Sequence, residues 1–556
     1  MFADTALTLP KTSRRRAWRA PALPVLAEIA VLALALAVGL ATAGDMGTTV
    51  DEFNTEPYGH QALAWYLSGF SDRALFHNAE VIHLYGPWFQ IIVALAQSAL
   101  PIDPLTVRHA LTFLAGIIGL AAVGPMARLL IGRWAGVTAI VLCLTTGYLF
   151  GHLSFSPIDV PFLAAMTWTT YAIILVTQRP LPSWRGIAAV GLLLGLCLGT
   201  RPGGVIAQAY FVGAMALCAL AAALRPPLRA ALLPLALRTA AGLALAWATA
   251  IAIWPWLEIG NPVTQFWDAF TFFTGIELPF TFQHWGVLTS TAALPWHYIP
   301  GQYLARLPVP FLVLLALSFA LALLHAARFL ARTWRRLATR GIAGLRAPLL
   351  ALAADRGALV LAVAALAPIA LVAVLGSTIY DGVRHILFVI PLLAVIASWS
   401  FVRLLLPLLR AAPLVAAAAI VLYLATSIAT LASLHPLQYV AMNALAGGTA
   451  GAYGRFELDY WSAAATPALR RLEARLDRAP LAHRPRVMVC IGWREQMVAP
   501  LFRRDWEVAT SPAEADFLIE TERFPCAQGT DAVLIDEVIR AGRSFARIYA
   551  TPSALK

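Results

Sequence analysis

The chain is 556 residues long, 60% hydrophobic and only 13% charged, with a mean hydropathy of +0.74. A soluble domain runs nearer half apolar and a quarter charged, so the bilayer is the solvent for most of this sequence. The net charge of +12 and a pI of about 9.8 do not point to nucleic acid. The basic residues stand in short tracts between apolar blocks, as topology determinants do, with no basic face of interleaved aromatics outside them.

Lys11, Arg14, Arg15, Arg16 and Arg19 precede the first apolar block, 23–44. That block is too long for the core of a signal peptide, and it reads as a retained helix behind a cytoplasmic tail over 1–22. Further blocks of spanning length follow at 109–130, 135–152, 160–177, 186–200, 203–224, 232–256, 308–327, 358–376, 386–402 and 412–433. Another stretch, 85–100, is short and carries Gln90 and Gln97. Laid flat at the interface it leaves every later basic tract on one side, whereas a span there would invert them all.

The charges test this eleven-span arrangement. Tracts expected inside (1–22, 128–134, 178–185, 225–231, 328–357, 403–411) hold 20 Lys and Arg against two acids. Tracts expected outside (45–108, 153–159, 201–202, 257–307, 377–385) hold 5 Lys and Arg against 12 acids. The asymmetry of the basic residues orients the chain with its N-terminus in the cytoplasm. A transmembrane domain over 23–433, with outer loops at 45–108 and 257–307, is then followed by an extracytoplasmic segment, 434–556. That segment changes character: it has Pro-rich boundaries near 480 and 485, strand-like runs at 487–491 and 516–520, and a helical stretch at 463–478. It predicts a small α+β domain. Cys143, Cys197 and Cys218 fall in spans as small packing residues. Cys490 and Cys526 each end a strand-like run in an oxidising compartment, which makes a disulfide between them the hypothesis to test.

Polar residues that are expensive in a membrane protein gather on the outer side. The first outer loop carries Asp51, Glu52, Asn54, Glu56, Tyr58 and His60; the second, very short, places His152, Ser156 and Asp159 at the boundary. Arg201 and the pair Arg384-His385, beside Tyr380, put cations at outer helix ends, where an ionisable group needs a partner or a function. A lipid phosphate would supply one, and a salt bridge to a nearby acid is the alternative. His284, beside Trp285 and near Trp296 in an aromatic-rich loop, is an isolated candidate for sugar contact, with interfacial anchoring as the competing role of its tryptophans. Acids that activate a hydroxyl next to cations that hold a phosphate suit group transfer from a phospholipid carrier.

The run DEFNTEPYGHQALAWYLSGFSD at 51–72 resembles the first-loop Asp-Glu motif of GT-C superfamily glycosyltransferases, in the branch of the protein O-mannosyltransferases and lipid A aminoarabinose transferases. YGPWFQ (85–90), RHALTFLAGIIGL (108–120), GHLSFSPIDVPF (151–162), GLCLGTRPGG (195–204), YDGVRHILFVIP (380–391) and HPLQYVAMNALAGGTAGAYGRFELDYW (435–461) follow in that family's order. Ser156 and Ile158 depart from it, standing where relatives carry Asn and Lys. The resemblance implies a GT-C fold in a bacterial inner membrane. It also implies a polyprenyl-phosphate monosaccharide donor, an acceptor that is protein, lipid or glycan, and inversion at the sugar carbon. By position, Asp51 would be the base, Glu52 would orient it or the acceptor, and Asp159 would complete the acidic wall. Arg201, Arg384 and His385 would hold the lipid phosphate, and Tyr58, His60, His152, Tyr380 and His284 would lie along the substrates. Relatives differ on metal use; a divalent cation, if one is used, would fall to Asp51 and Asp159, since no cluster has ligand spacing of its own. A transporter or a non-catalytic assembly factor for lipid-linked sugars is the alternative, although a first-loop acid pair serves neither.

Overall fold

The computed structural model describes residues 22–77, 81–275, 280–376, 378–491, 502–503 and 505–555. The expected cytoplasmic tail therefore lies outside the described residues, apart from Ala22. α1 (Leu23–Ala41) leads through a short turn into α2 (Val50–Leu67), a polar helix interrupted by Pro57. α3 (Trp88–Ala99) is apolar on one side and only 12 residues long, so at 1.5 Å per residue it falls well short of a ~30 Å hydrocarbon core. It packs on α2, as expected for an interfacial helix of the first loop.

α4 (Pro104–Leu130) is followed by α5 (Ala135–Leu144) and α6 (Gly147–Phe155), which meet at a 71° bend. The block 135–152, expected as one straight span, is thus a broken one. Thr145 and Thr146 at the break bond their hydroxyls back to the Val141 and Leu142 carbonyls, which helps the chain turn there. α7 (Asp159–Val176) is the most enclosed of the helices long and apolar enough to span. α8 (Trp184–Leu198) has 15 residues, the same length as the block 186–200 expected as a span but set two residues earlier, and short for a ~30 Å core. It lies tight against α10 (Pro226–Ile253), because Gly191 and Gly195 stand one turn apart on the shared face. A Cβ on either would come within 2.9 Å of the Gly242 carbonyl or 2.7 Å of the Ala246 carbonyl. Between these helices in sequence runs α9 (Pro202–Ala223).

The large outer loop is structured. It contains α11 (Pro262–Gly275), a hairpin of β1 (Thr281–His284) and β2 (Val287–Ser290), and α12 (Tyr298–Arg306). α13 (Val309–Arg340) has 32 residues, about 48 Å of helix, and its far end carries Arg328, Arg332, Arg335, Arg336 and Arg340. That basic end must leave the hydrocarbon, so the two ends of the bundle differ in chemistry. α14 (Arg346–Ala354), α15 (Arg356–Leu375), α16 (Val389–Ala411) and α17 (Pro413–Leu434) complete the helical part. Among the described residues, nine helical runs are long and apolar enough to cross a membrane, and ten if α5 and α6 are one broken span. The chain is a multi-pass membrane protein.

The last hundred residues form the small α+β domain. α18 (Ala465–Leu476) buries Ala465, Ala468, Leu469, Leu472 and Leu476, spaced as one helical face, against a five-stranded sheet. The strands are β3 (Arg486–Cys490), β4 (Glu507–Val508), β5 (Phe517–Thr521), β6 (Val533–Arg540) and β7 (Arg543–Ala550), in the order β4-β3-β5-β7-β6. β3 runs parallel to β4 and β5, and β7 antiparallel to β5 and β6. Cys490 and Cys526 are disulfide-bonded, and Cys143, Cys197 and Cys218 are free and buried.

Candidate active site

Segments far apart in sequence meet at the end of the bundle that carries the small domain. α2 begins with a reciprocal cap: Thr49 Oγ1 accepts the Glu52 N–H at 3.3 Å, and Glu52 Oε2 accepts the Thr49 N–H at 2.9 Å. Asp51 therefore stands in the first turn, where a carboxylate suits the helix dipole. Asp159 opens α7, and Arg201 immediately precedes α9. Arg384 follows a turn in which Asp381 and Gly382 both have positive φ, 58° and 74°. Tyr148 of α6 fixes that turn, donating to the Asp381 carbonyl and accepting the Val383 N–H, both at 3.1 Å. A Cβ at residue 382 would sit 2.8 Å from the Tyr148 hydroxyl at a φ that side chains avoid, so glycine is required there.

Arg384 is the hub. Its Nη1 lies 2.6 Å from Asp51 Oδ2 and 3.6 Å from Asp159 Oδ2, and its Nε lies 3.1 Å from Asp381 Oδ2. Asp159 Oδ1 accepts from Arg201 Nη1 at 2.5 Å. Asp381 Oδ1 lies 3.5 Å from Arg523 Nη1, and Arg523 Nε is 3.1 Å from Glu457 Oε1. Three guanidinium groups thus alternate with three carboxylates around a cleft of about 330 Å³, walled by Tyr85, Phe272, Phe273, Phe280, Tyr380 and Trp461, with Glu457 behind Arg523 outside that lining. The Arg384 guanidinium lies 5.1 Å from the Tyr380 ring centre and that of Arg201 5.6 Å from Tyr85.

Burial separates the carboxylates by what they can do. The side chains of Asp159 and Asp381 are 2% and 7% exposed, each with both oxygens turned to guanidinium groups, whereas Asp51 keeps 22%. Of the three carboxylates that line the cleft, Asp51 is the most exposed. Burial also pushes the Asp381 carboxyl above its usual range against the pull of Arg384 and Arg523, and Glu457 up to about 7. It drives the His385 imidazole well below its usual pKa, with Arg384 and Arg201 adding to the effect. His385 lines the cleft with a buried Nδ1 that has no hydrogen-bond partner among the described residues. It is therefore a neutral polar group, and the positive charge of the cleft is carried by Arg201, Arg384 and Arg523.

The structure brings together Asp51, Asp159, Arg201, Arg384, His385 and Tyr380. Glu52 stands apart from them: it caps α2 and meets His109 Nε2 at 2.8 Å, 1% exposed. Tyr58 is buried behind the wall, donating to the Tyr85 carbonyl at 2.6 Å. His60, nine residues after Asp51, projects from the opposite side of α2 and is exposed, since nine steps of 100° make half a turn. His152 acts one layer back, its Nε2 2.7 Å from the Tyr460 hydroxyl that lines the cleft. His284 faces Gln302 at 3.2 Å, outside the cleft, and Trp296 is exposed. Asp381, Arg523, Tyr460 and the phenylalanines of the wall complete the site without having been expected there. Asp381 lay within a quoted motif, but Arg523 has no local signal at all.

Asp51 and Asp159 were the expected ligands of any divalent ion. Both reach the same Arg384 nitrogen, so a guanidinium occupies the place between them and the pair does not fit a cation in this arrangement. Among the described residues no group of three or more His, Cys, Asp or Glu side chains converges.

No protein-family model and no curated protein matches the chain. Among solved structures it is similar to ArnT from Cupriavidus metallidurans in the apo state, at 14% identity and a TM-score of 0.46, over 96% of this chain and 98% of that one. The same protein bound to undecaprenyl phosphate gives 15% and 0.44 over the same shares. The archaeal oligosaccharyltransferase AglB from Archaeoglobus fulgidus, in complex with an inhibitory peptide and a dolichol-phosphate, gives 12% and 0.46 over 89% of this chain and 69% of that one.

Proposed function

We propose that this protein is a GT-C glycosyltransferase that moves a monosaccharide from a polyprenyl-phosphate carrier to an acceptor outside the cytoplasm, with inversion at the sugar carbon. The observation that carries the reading is Asp51, the most exposed carboxylate of the cleft, held 2.6 Å from a guanidinium in an aromatic cleft at the non-basic end of a membrane bundle. The order of the motifs from 51 to 461 supports the same class, and the charge asymmetry of the loops supports the outer placement. Asp51 accepts the acceptor's hydroxyl proton as its oxygen attacks the anomeric carbon. The bond from that carbon to the phosphate oxygen breaks with its electron pair, and the growing negative charge is met by Arg201 and Arg384. The aromatic wall shields the carrier's first isoprene units and the sugar from water.

The test is transfer by the purified chain in nanodiscs, with radiolabelled undecaprenyl-phosphate sugars as donors and a membrane and periplasmic extract as acceptor. Label moving into a product establishes the class and names the donor. Donor binding without transfer from any sugar overturns the enzyme and leaves a carrier-binding protein.

A pH dependence follows from the charges. With all groups ionised, three guanidiniums answer the three carboxylates that line the cleft, and Glu457, beside Arg523 with Arg306 near it, is a negative charge in excess of them. A proton on Glu457, whose pKa stands at about 7, removes that excess. Donor affinity is therefore expected to rise as the pH falls through 7, by roughly two- to fivefold, the size of one charge at ~10 Å in a half-solvated site. Equilibrium binding of a labelled polyprenyl phosphate at about pH 6 and pH 8 measures it, and Glu457→Gln should bind well at both.

A further inference from the structure

The site is not built by the membrane part alone. Arg523 belongs to the small domain, in the short segment that leaves β5, and its guanidinium reaches across to Asp381 and Glu457. It also donates to the Tyr460 carbonyl at 2.9 Å and lies 5.7 Å from the Phe280 ring centre. Asp381 has one oxygen on Arg523 and the other on Arg384. The position of the hub arginine is thereby tied to a residue some 140 positions further along the chain.

The segment that presents Arg523 is closed at its base. On one side Thr521, the last residue of β5, meets Ser462 Oγ at 3.0 Å. On the other, Cys526 is bonded to Cys490 at the end of the neighbouring strand β3, and the Cys526 and Ala527 amides donate to Glu520 Oε2 at 3.2 and 3.3 Å. A short excursion with both feet fixed holds its tip with little freedom, and the covalent foot is the one that chemistry can remove.

We infer that Arg523 is a positioning residue for Arg384, acting through Asp381, and that the Cys490–Cys526 disulfide holds it in place, so that this cross-link sets how well the site is assembled. A dithiol reductant would pass two electrons and two protons to the cystine, leaving both cysteines as thiols and itself as a cyclic disulfide. Arg523 would then lose its fixed approach while the bundle stays intact.

The kinetic arm of the test rests on the transferase reading; the other arm does not. The full chain in nanodiscs is compared as wild type, Arg523→Ala, Arg523→Lys, the double change Cys490→Ser with Cys526→Ser, and the triple variant joining that pair to Arg523→Ala. Hydrogen exchange is read at the backbone amides of 380–386, and kcat and KM are read for transfer. Arg523→Ala should quicken exchange in that segment and lower kcat roughly tenfold with little change in KM, the sign of a misplaced group rather than a lost substrate contact. Arg523→Lys should recover part of both, since it keeps the charge. The cysteine pair should act in the same direction by roughly threefold and add nothing when Arg523 is already absent. Unchanged exchange at 380–386 in Arg523→Ala would overturn the positioning role, whether or not transfer is seen. Cysteine effects that add in full to those of Arg523→Ala would overturn the disulfide's part. A wild type without transfer would remove the transferase reading and leave the exchange result to decide the inference.

Discussion

Asp51→Asn is expected to lower the rate of sugar transfer by about a thousandfold or more while the protein stays folded. The magnitude is that of removing a general base, 10²–10⁴ in most systems, and no other carboxylate lining the cleft is as exposed. Asp159 and Asp381 have both oxygens engaged by arginines and are 2% and 7% exposed. Glu52, the adjacent acid, is turned into the helix cap and onto His109. The fold should tolerate the change because asparagine is isosteric and keeps an oxygen toward Arg384, which still has Asp159 and Asp381 as counter-ions. Donor binding should hold or tighten, since a negative charge has left the site. The check is kcat with the best donor, beside a thermal melt and a donor titration. Wild-type turnover in a folded variant would mean that another group takes the proton and that the site has been misread.

The parts of this molecule that were legible in the sequence are those written in local pattern. Apolar blocks gave the spanning helices, and the short length and glutamines of 85–100 marked α3 as a helix that does not cross. Motif order brought Asp51, Asp159, Arg201 and Arg384 into view, and the strand-like runs at 487–491 and 516–520, with Cys490 in the first and Cys526 shortly after the second, anticipated both β3 and β5 and their cross-link. Other features depend on contacts that no window of sequence contains. Glu52 follows Asp51 by one residue, yet 100° of helix rotation sends it to the interior. The bend between α5 and α6 arises at Thr145 and Thr146, within a block whose composition reads as continuous. Arg523 enters the site only because the small domain docks on the 380–384 turn. The hairpin of β6 and β7 turns at Ala541 and Gly542, both at positive φ, as a two-residue hairpin turn requires, but β6 reads as two apolar clusters around Asp536 and Glu537 rather than as an alternating run.

Arg384 separates charge from geometry, and its two variants should fail differently. Arg384→Lys keeps a positive charge but offers a single ammonium where a planar fork now reaches Asp51, Asp159 and Asp381 in different directions. It should fold with a modestly lowered melting temperature and lose transfer by roughly a hundredfold, because the phosphate and the base are no longer held in one plane. Arg384→Ala leaves three carboxylates in a desolvated pocket with only Arg201 and Arg523 to answer them. Removing one partner of a buried pair costs about 3–5 kcal/mol, so this variant should be poorly folded at neutral pH. Its stability should then respond to acid with a definite sign. Buried carboxylates that have lost their cation prefer the proton, which raises their folded-state pKa above the unfolded value. Such groups add stability below the unfolded pKa and lose it as the pH climbs through the folded one. Arg384→Ala should therefore melt at a higher temperature near pH 5 than near pH 8, a gain the wild type does not share to the same extent because its carboxylates keep their ion pairs with Arg384. Melting curves of both proteins across that range decide the matter, and parallel curves would show that the carboxylates never depended on Arg384 for their charge.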